Sequence, residues 1–389
     1  MSSSTSRTSY RRWCASSWGG SMSEWRKTTM DQLVKLQRGH DLPTGQRRQG
    51  SVPVVGAAGP SGFHDTAIVK APGVTLGRAG ASMGHATYCN VDFWPLNTSL
   101  YVTDFLGNDP RFAFYLLGQI DFSGYNSGAA QPMLNRNYIT QISINLPPLE
   151  EQRSICTILG SLDDKIAVNE RIATTAEEIT LAIASSTRWD RRVRLGEICS
   201  LRKEQCTPQE LDVDVVDHYS LPAFDTEKTA DRTSPASIKS SKFMIPEAAI
   251  LLSKLNPEIP RVWNVEPDEK TLAIASTEFL VLTPVLGVST HQLWAVAAQQ
   301  DFRSALASRV TGTSKSHQRV RPAEALATKV VDPRQLGEEG QQINRLAEKT
   351  ALMRKENRTL AALRDTLLPQ LMSGRLRVRD AEKIVEDNA

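Results

Sequence analysis

Apolar positions along this chain follow two periods, and the change from one to the other happens twice. Short β-branched or aromatic runs bounded by Gly, Asn and Asp predict strands at SVPVVGAAG (51–59), ATYCNVDFW (86–94) and TSLYVTDF (98–105). AAILLSKLN (248–256) and TEFLVLTPV (277–285) repeat that pattern further on. DPRFAFYLLGQI (109–120) and THQLWAVAAQQDFRSAL (290–306) read as helices, with Asp109 and Thr290 as candidate N-caps.

Two longer stretches obey a heptad instead. Ile155, Leu159, Leu162, Ile166, Asn169, Ala173, Ala176, Thr180 and Ile183 step by alternating fours and threes. Ile343, Leu346, Thr350, Met353, Asn357 and Leu360 do the same, with Leu363 and Leu367 continuing one face. Pro147-Pro148 and Pro333 fix the helix starts, because proline cannot sit deeper in a helix; Pro369 and Ser373-Gly374 are expected to end the second. Asn169 and Asn357 fall on the two seams, so antiparallel packing would bring their amides together and fix the register; the competing reading is a solvent-facing Asn in a frayed seam.

The periods alternate because the chain repeats. MDQLVKLQRG (30–39) resembles RLGEICSLRKEQ (194–205), and NSGAAQPMLNRNYI (126–139) resembles VTGTSKSHQRVRPAEAL (310–326), at an offset growing from about 165 to about 188 residues. The fold class expected is α+β: two mixed α/β domains separated by two long antiparallel coiled-coil helices, an internal pseudo-twofold repeat. The boundaries are a disordered or mis-started extension at 1–21, a first domain at 22–148, and a first spacer helix at 149–188. A second domain at 189–335, a second spacer helix at 336–378 and a tail at 379–389 follow. Met22 opens a segment that reads like a true start, so Met1 and Met22 are both candidates.

Composition narrows the classes. A net charge of +3 permits a nucleic-acid partner without arguing for one. No apolar run is long enough for a membrane span. The five cysteines, Cys14, Cys89, Cys156, Cys199 and Cys206, are scattered with no ligand spacing, which favours a reducing cytoplasm over a disulfide framework or zinc site. Cys89, Cys156 and Cys199 read as small buried apolar residues.

LPPLEEQRSICTILGSLDDKIAVNERI (146–172) and LAALRDTLLPQLMSGRLRV (360–378), with two variable domains between and before them, resemble the specificity subunits of type I restriction–modification enzymes. FWPLNTSLYV (93–102), NDPRFAFYLL (108–117) and LLSKLNPEIPRVW (251–263) look like segments of the same family. The resemblance covers roughly residues 22–380, and it departs at the second helix entry, where VVDPRQLGEEGQQI (330–343) replaces the Pro-Pro-Leu-x-Glu-Gln form. It implies a non-catalytic subunit that reads a split double-stranded DNA site, one domain per half, with the helices setting the gap. Two methylation subunits and the restriction subunits would dock on it, the former around Glu150–Arg153 and the outward charges of Asp163–Arg171. S-adenosylmethionine, ATP and Mg are expected on those partners, with none in this chain. A helix of about 35 residues spans about 50 Å, near one and a half turns of duplex.

No complete active site stands out against that expectation. A Gly-x-x-x-x-Gly-Lys-Ser/Thr loop is missing. NPEI (256–259) lacks the second proline and the aromatic needed to stack a flipped adenine. LDDK (162–165) and PDEK (267–270) read as a solvated helix face and a loop rather than nuclease sites. The Gly-rich LGRAGASMG (76–84) is a tight turn that could also offer N–H groups to phosphate.

Base edges need Arg or Lys for guanine and Asn or Gln for adenine. Candidates in the first domain are Gln37, Arg38, His40, Ser61, His64, Arg78, Asn135 and Arg136. In the second they are Arg202, Lys203, Lys254, Asn256, Arg261, Lys315, His317, Gln318 and Arg319. Any one of them is equally a phosphate contact or a plain surface residue. Two further readings stay open: a structural coiled-coil adaptor, which sequence-independent, salt-labile DNA binding would favour, and a fused methyltransferase, which a methyl-donor binding assay would detect.

Overall fold

A computed structural model of the chain describes residues 25–126, 132–186, 189–226, 228–268, 270–309 and 318–388. These fall into two compact units, Met1–Ala167 with Arg358–Ala389, and Val168–Asn357, so each boundary lies inside a long helix.

In unit 1 the strands are β1 (Arg26–Thr29), β2 (Lys35–Arg38), β3 (Val52–Gly56), β4 (Gly59–His64) and β5 (Gly73–Gly77). β6 (Ala86–Cys89), β7 (Trp94–Pro95), β8 (Ser99–Asp104) and β9 (Ser143–Leu146) follow, with helices α1 (Pro110–Gln119) and α2 (Arg136–Ile139) between β8 and β9. A four-stranded sheet in the order β2-β8-β5-β6 forms the frame, a β1-β9 ribbon closes the unit, and β4-β3-β7 make a small side sheet. α1 lies on β5 and β6. Asp109 caps it as expected, accepting from the N–H groups of Arg111 and Phe112.

The helix α3 (Leu149–Ala184) leads on into unit 2, which carries β10 (Arg192–Arg194), β11 (Cys199–Arg202), β12 (Gln205–Cys206) and β13 (Val216–Tyr219). The short helix α4 (Leu221–Thr226) precedes β14 (Asp231–Thr233), β15 (Lys242–Met244), β16 (Ala249–Ser253), β17 (Val262–Val265), β18 (Leu272–Ser276) and β19 (Phe279–Pro284). Helices α5 (Thr290–Ala297), α6 (Gln300–Ala307) and α7 (Pro322–Ala327), strand β20 (Lys329–Val331), and helices α8 (Gly337–Met372) and α9 (Val378–Asn388) complete the chain.

The frame of unit 1 recurs here: the sheet order is β11-β19-β16-β17, the closing ribbon is β10-β20, and α5 lies on β16 and β17. What differs is the insertion, a five-stranded sheet β12-β15-β18-β13-β14 that includes the parallel pair β13–β18. The α5 cap is Ser289 rather than Thr290. Ser289 forms a reciprocal capping box with Gln292, which places the helix start one residue earlier than the sequence suggests.

The two long helices contribute a half to each unit. In unit 1, Ile155, Leu159 and Leu162 of α3 share the core with Leu360, Leu367 and Leu371 of α8, each worth about 1.5–3 kcal/mol when fully buried. Arg364 of α8 donates to Asp163 at 3.0 Å. In unit 2, Glu177 accepts from Arg354 at 2.6 Å and Asn169 donates to Glu356 at 2.8 Å. In unit 2 the partner numbers fall along α8 as they rise along α3, which defines antiparallel packing there. Asn169 is 2% exposed, so it sits in the seam as the heptad predicts. Its amide engages the carboxylate of Glu356, the residue before Asn357. The seam is fully buried at Ile343 and Leu360 but only half-buried at Ile166, Leu346, Met353 and Asn357.

Three further expectations change. α8 is not ended by Pro369 but runs through it to Met372, and Ser373-Gly374 ends it as expected, with Gly374 (φ +71°) in the left-handed conformation that suits glycine. The 379–389 tail belongs to α9, whose Ala381 is fully buried. The charges at 163–164 do not all face solvent: Tyr115 donates to Asp163, and Arg111 donates to Asp164 at 2.8 Å, both from α1.

Candidate nucleic-acid interface

In each unit, the chain leaving the central frame strand is gripped by the same three backbone hydrogen bonds. In unit 1, β5 ends at Gly77; the Arg78 N–H donates to Thr98 O (2.9 Å), and Arg78 O accepts from the Leu134 N–H (2.8 Å). The Gly80 N–H then donates to Pro132 O (3.0 Å), which makes an isolated antiparallel bridge between Ala79 and Met133. In unit 2, the Lys254 N–H donates to Glu278 O (2.8 Å), Lys254 O accepts from the Val320 N–H (3.0 Å), and the Asn256 N–H donates to Gln318 O (2.9 Å). The bridge there joins Leu255 and Arg319. Gly80 and Asn256 both adopt left-handed backbones, φ +77° and +47°, a conformation that Gly and Asn tolerate best.

This grip gathers candidates that are far apart in sequence. Arg78 meets the 132–136 segment, where Asn135 caps α2 by accepting from the Asn137 N–H (3.0 Å) and Arg136 is exposed. Lys254 and Asn256 meet Gln318 and Arg319. Lys315 and His317 lie outside the described residues. Arg202, Lys203 and Lys254 also line one surface pocket of about 190 Å³, together with Phe243, Phe279 and Pro322.

Charge is distributed unevenly among them. Arg319 grips Glu278 bidentately at 3.0 and 2.8 Å, which holds its guanidinium pKa above the usual value. Burial pushes the Lys254 ammonium below its usual value, while Glu278 opposes that and Arg319 reinforces it. Among the described residues, the Arg78 side chain contacts Asn97 O and Met133 Sδ, both at 3.4 Å. Arg202 pairs with Glu247.

Other candidates are placed elsewhere. Gln37 and Arg38 are exposed on β2, and Arg38 lies 3.7 Å from Asp41. His40 is half-buried between the rings of Trp94 and Tyr101. Ser61 offers its carbonyl to Arg47 (2.7 Å) and its hydroxyl to Val54 O (3.3 Å). Two candidates are corrected. His64 is 2% exposed, its Nδ1 accepts from the Arg48 N–H (3.0 Å), and its ring packs edge-on to Trp94, so it supports the hairpin and offers no edge to a ligand. The Arg261 guanidinium is held bidentately by Asp225 at 2.7 and 2.6 Å with a nearly buried side chain, which makes it a structural clamp.

Three residues escaped the sequence reading. Tyr138 is 61% exposed on α2 beside Arg136, and an aromatic adjoining Arg was the available signal. Arg48 and Asp65 pair at 2.5 Å, and that hydrogen bond holds the Asp65 carboxyl at about 2. Among the described residues, no group of acidic, His or Cys side chains forms a metal site, and no helix is long and apolar enough to cross a membrane.

Comparison with known proteins agrees with this frame. Residues 22–178 match the family model for the type I restriction modification DNA specificity domain. An Escherichia coli protein, the type I restriction enzyme EcoprrI specificity subunit, is 23% identical over 145 residues, 36% of each chain. The HindI specificity subunit of Haemophilus influenzae is 32% identical over 83 residues, 20% of this chain and 18% of that one. These alignments thus span about a third or less of the curated relatives. The crystal structure of a type I restriction-modification S subunit from M. genitalium has the same fold, at a TM-score of 0.57 and 17% identity over 91% of this chain and 98% of that one.

The duplicated α/β frame and its paired long helices thus share the fold of that S subunit. Residues 22–178 are those of a type I restriction modification DNA specificity domain.

Proposed function

We propose that this chain reads a bipartite double-stranded DNA sequence, one half-site per unit, and that α3 and α8 set the length of the gap. The observation that carries this reading is the repeated grip: two units with different insertions present a cation-bearing turn at the same point of the same sheet. A frame kept constant while the insertions vary suits two readers of different half-sites, since base recognition depends on which side chains meet the groove edges.

On this reading two methylation subunits and the restriction subunits dock on the chain in the cytoplasm. S-adenosylmethionine, ATP and Mg act on those partners, and the chain itself is not an enzyme. Methylome sequencing of a host carrying the chain with its methylation subunit tests it. A split methylated motif with a fixed gap, lost when the chain is deleted, is the expected result. Inserting residues in α3 and α8 together should then change the gap and keep both half-sites. Methylation that persists without the chain would remove the recognition role.

A further inference from the structure

The matched grips single out one side chain in each unit. Arg78 and Lys254 occupy the same place: each follows the last residue of the central frame strand, and each has both its N–H and its C=O held by neighbouring backbone. We infer that Arg78 and Lys254 are the corresponding specificity-determining residues of the two units, each contacting the acceptor edge of a guanine in its own half-site.

This inference rests on the reading proposed above and deepens it. A side chain mounted on a backbone fixed at both ends loses little further freedom on binding, so its contact is retained as affinity and geometric selectivity. Few other residues in either turn combine that anchoring with unused donors. Arg78 has five N–H donors and makes two contacts to described residues, a long one to Asn97 O at 3.4 Å and a weak one to Met133 Sδ. The ammonium of Lys254 makes no hydrogen bond to a described residue. The carboxylate nearest it in charge, Glu278, is already taken bidentately by Arg319, and two further cations, Arg202 and Lys203, line the same pocket. Both side chains are half-buried, which strengthens their attraction for an acceptor compared with a fully solvated cation.

A lysine or arginine here meets two kinds of DNA acceptor, guanine O6 and N7 or a phosphate oxygen, and selection from a random duplex library separates them. The purified full chain and its Arg78→Ala, Lys254→Ala and Lys254→Gln variants would each be used, with a salt titration and a melting curve for every protein. A base contact predicts that Arg78→Ala loses the preference for guanine at one position of one half-site, and Lys254→Ala at one position of the other. Discrimination there should fall by roughly 5- to 150-fold, the range of a good bidentate pair. Lys254→Gln should move the preference at that position toward adenine while the melting temperature stays as in wild type.

Uniform weakening with a shallower salt slope would make these residues phosphate contacts and overturn the inference. Unchanged selected motifs would overturn it as well. If the wild-type chain selects no split motif at all, the bipartite reading fails first, and the two failures are thereby told apart.

Discussion

The two units satisfy the same backbone donor with two different glutamines. In unit 1, the N-cap residue of α1, Asp109, donates its N–H to Gln152 of α3 at 2.9 Å. That glutamine is 2% exposed, and its amide also donates to Asn108 Oδ1 and Pro147 O, both at 2.9 Å. In unit 2, Ser289 is the N-cap of α5, and its N–H goes to Gln292 of the same helix at 3.2 Å. The α8 position corresponding to Gln152 is Gly340, where a Cβ would lie 2.4 Å from Gln292 Nε2. One unit fastens the cap from the spacer helix; the other fastens it from within and clears the spacer helix to make room. The neighbouring contact survives in altered chemistry: Cys156 Sγ faces Asp109 at 3.3 Å, and Asn344 accepts from Ser289 Oγ at 2.6 Å. The docking of α1 onto α3, and of α5 onto α8, is therefore kept as geometry while its residues are exchanged.

The comparison breaks most forcefully in the seam. Leu162 is 2% exposed in the core of unit 1, whereas the corresponding Thr350 of unit 2 is 6% exposed and donates its hydroxyl to Leu346 O. Leu162→Ala should cost about 2–5 kcal/mol. Thr350→Val should stay within about 1 kcal/mol, since its hydroxyl bonds only within its own helix. Denaturant unfolding of both variants checks this, and equal losses would show that the two half-seams carry the same load.

Next in size is the glutamine exchange itself. Gln152→Ala leaves a buried N–H, carbonyl and amide oxygen without their partner, at about 1–3 kcal/mol for each group left unmet. Gln292→Ala removes one half of a capping box and leaves Ser289 in place, at about 1 kcal/mol. Hydrogen exchange at the Asp109 and Ser289 amides would show the ranking, which a larger effect at Ser289 would reverse.

How much of this could be read from sequence follows from the same residues. Heptad spacing located both long helices because burial at Ile155, Leu159, Leu162 and Ile343 enforces that period whatever the neighbours. The duplication was readable because turns and strand runs recur in order. The α8 entry looked like a poor match because Gly340 means nothing until Gln292 is seen beside it. His64 and Arg261 were misjudged for a related reason: His and Arg in turn-rich segments carry the same letters whether they meet a ligand or a buried partner, and only Trp94 and Asp225 decide. Arg78 and Lys254 carry a donor signal in the sequence, but their equivalence rests on bridges to residues more than fifty positions away.

The smallest expected effect concerns the entries to α3 and α8, and acid removes it. Unit 1 enters α3 through Pro147-Pro148, which carry no titrating group. Unit 2 enters α8 through Asp332, whose side chain is fully buried between Arg191 (3.0 Å) and Arg334 (2.8 Å). Burial alone would raise the Asp332 carboxyl, but the Arg334 hydrogen bonds and both guanidinium charges outweigh it and hold the pKa below the usual carboxylate value. A carboxyl depressed in the folded state gives stability that is complete above its unfolded pKa, about 3.9, and is lost as pH falls through the lower folded value. Asp332→Asn should therefore destabilise unit 2 at neutral pH, and the gap from wild type should begin to narrow below about pH 4, where the unfolded carboxyl protonates, and close as pH falls through the lower folded value. Hydrogen exchange in β10 and β20, followed from neutral pH into acid, isolates this term from the rest of the chain. A gap that stayed constant with pH would assign the effect to lost packing and hydrogen bonding rather than to the buried charge.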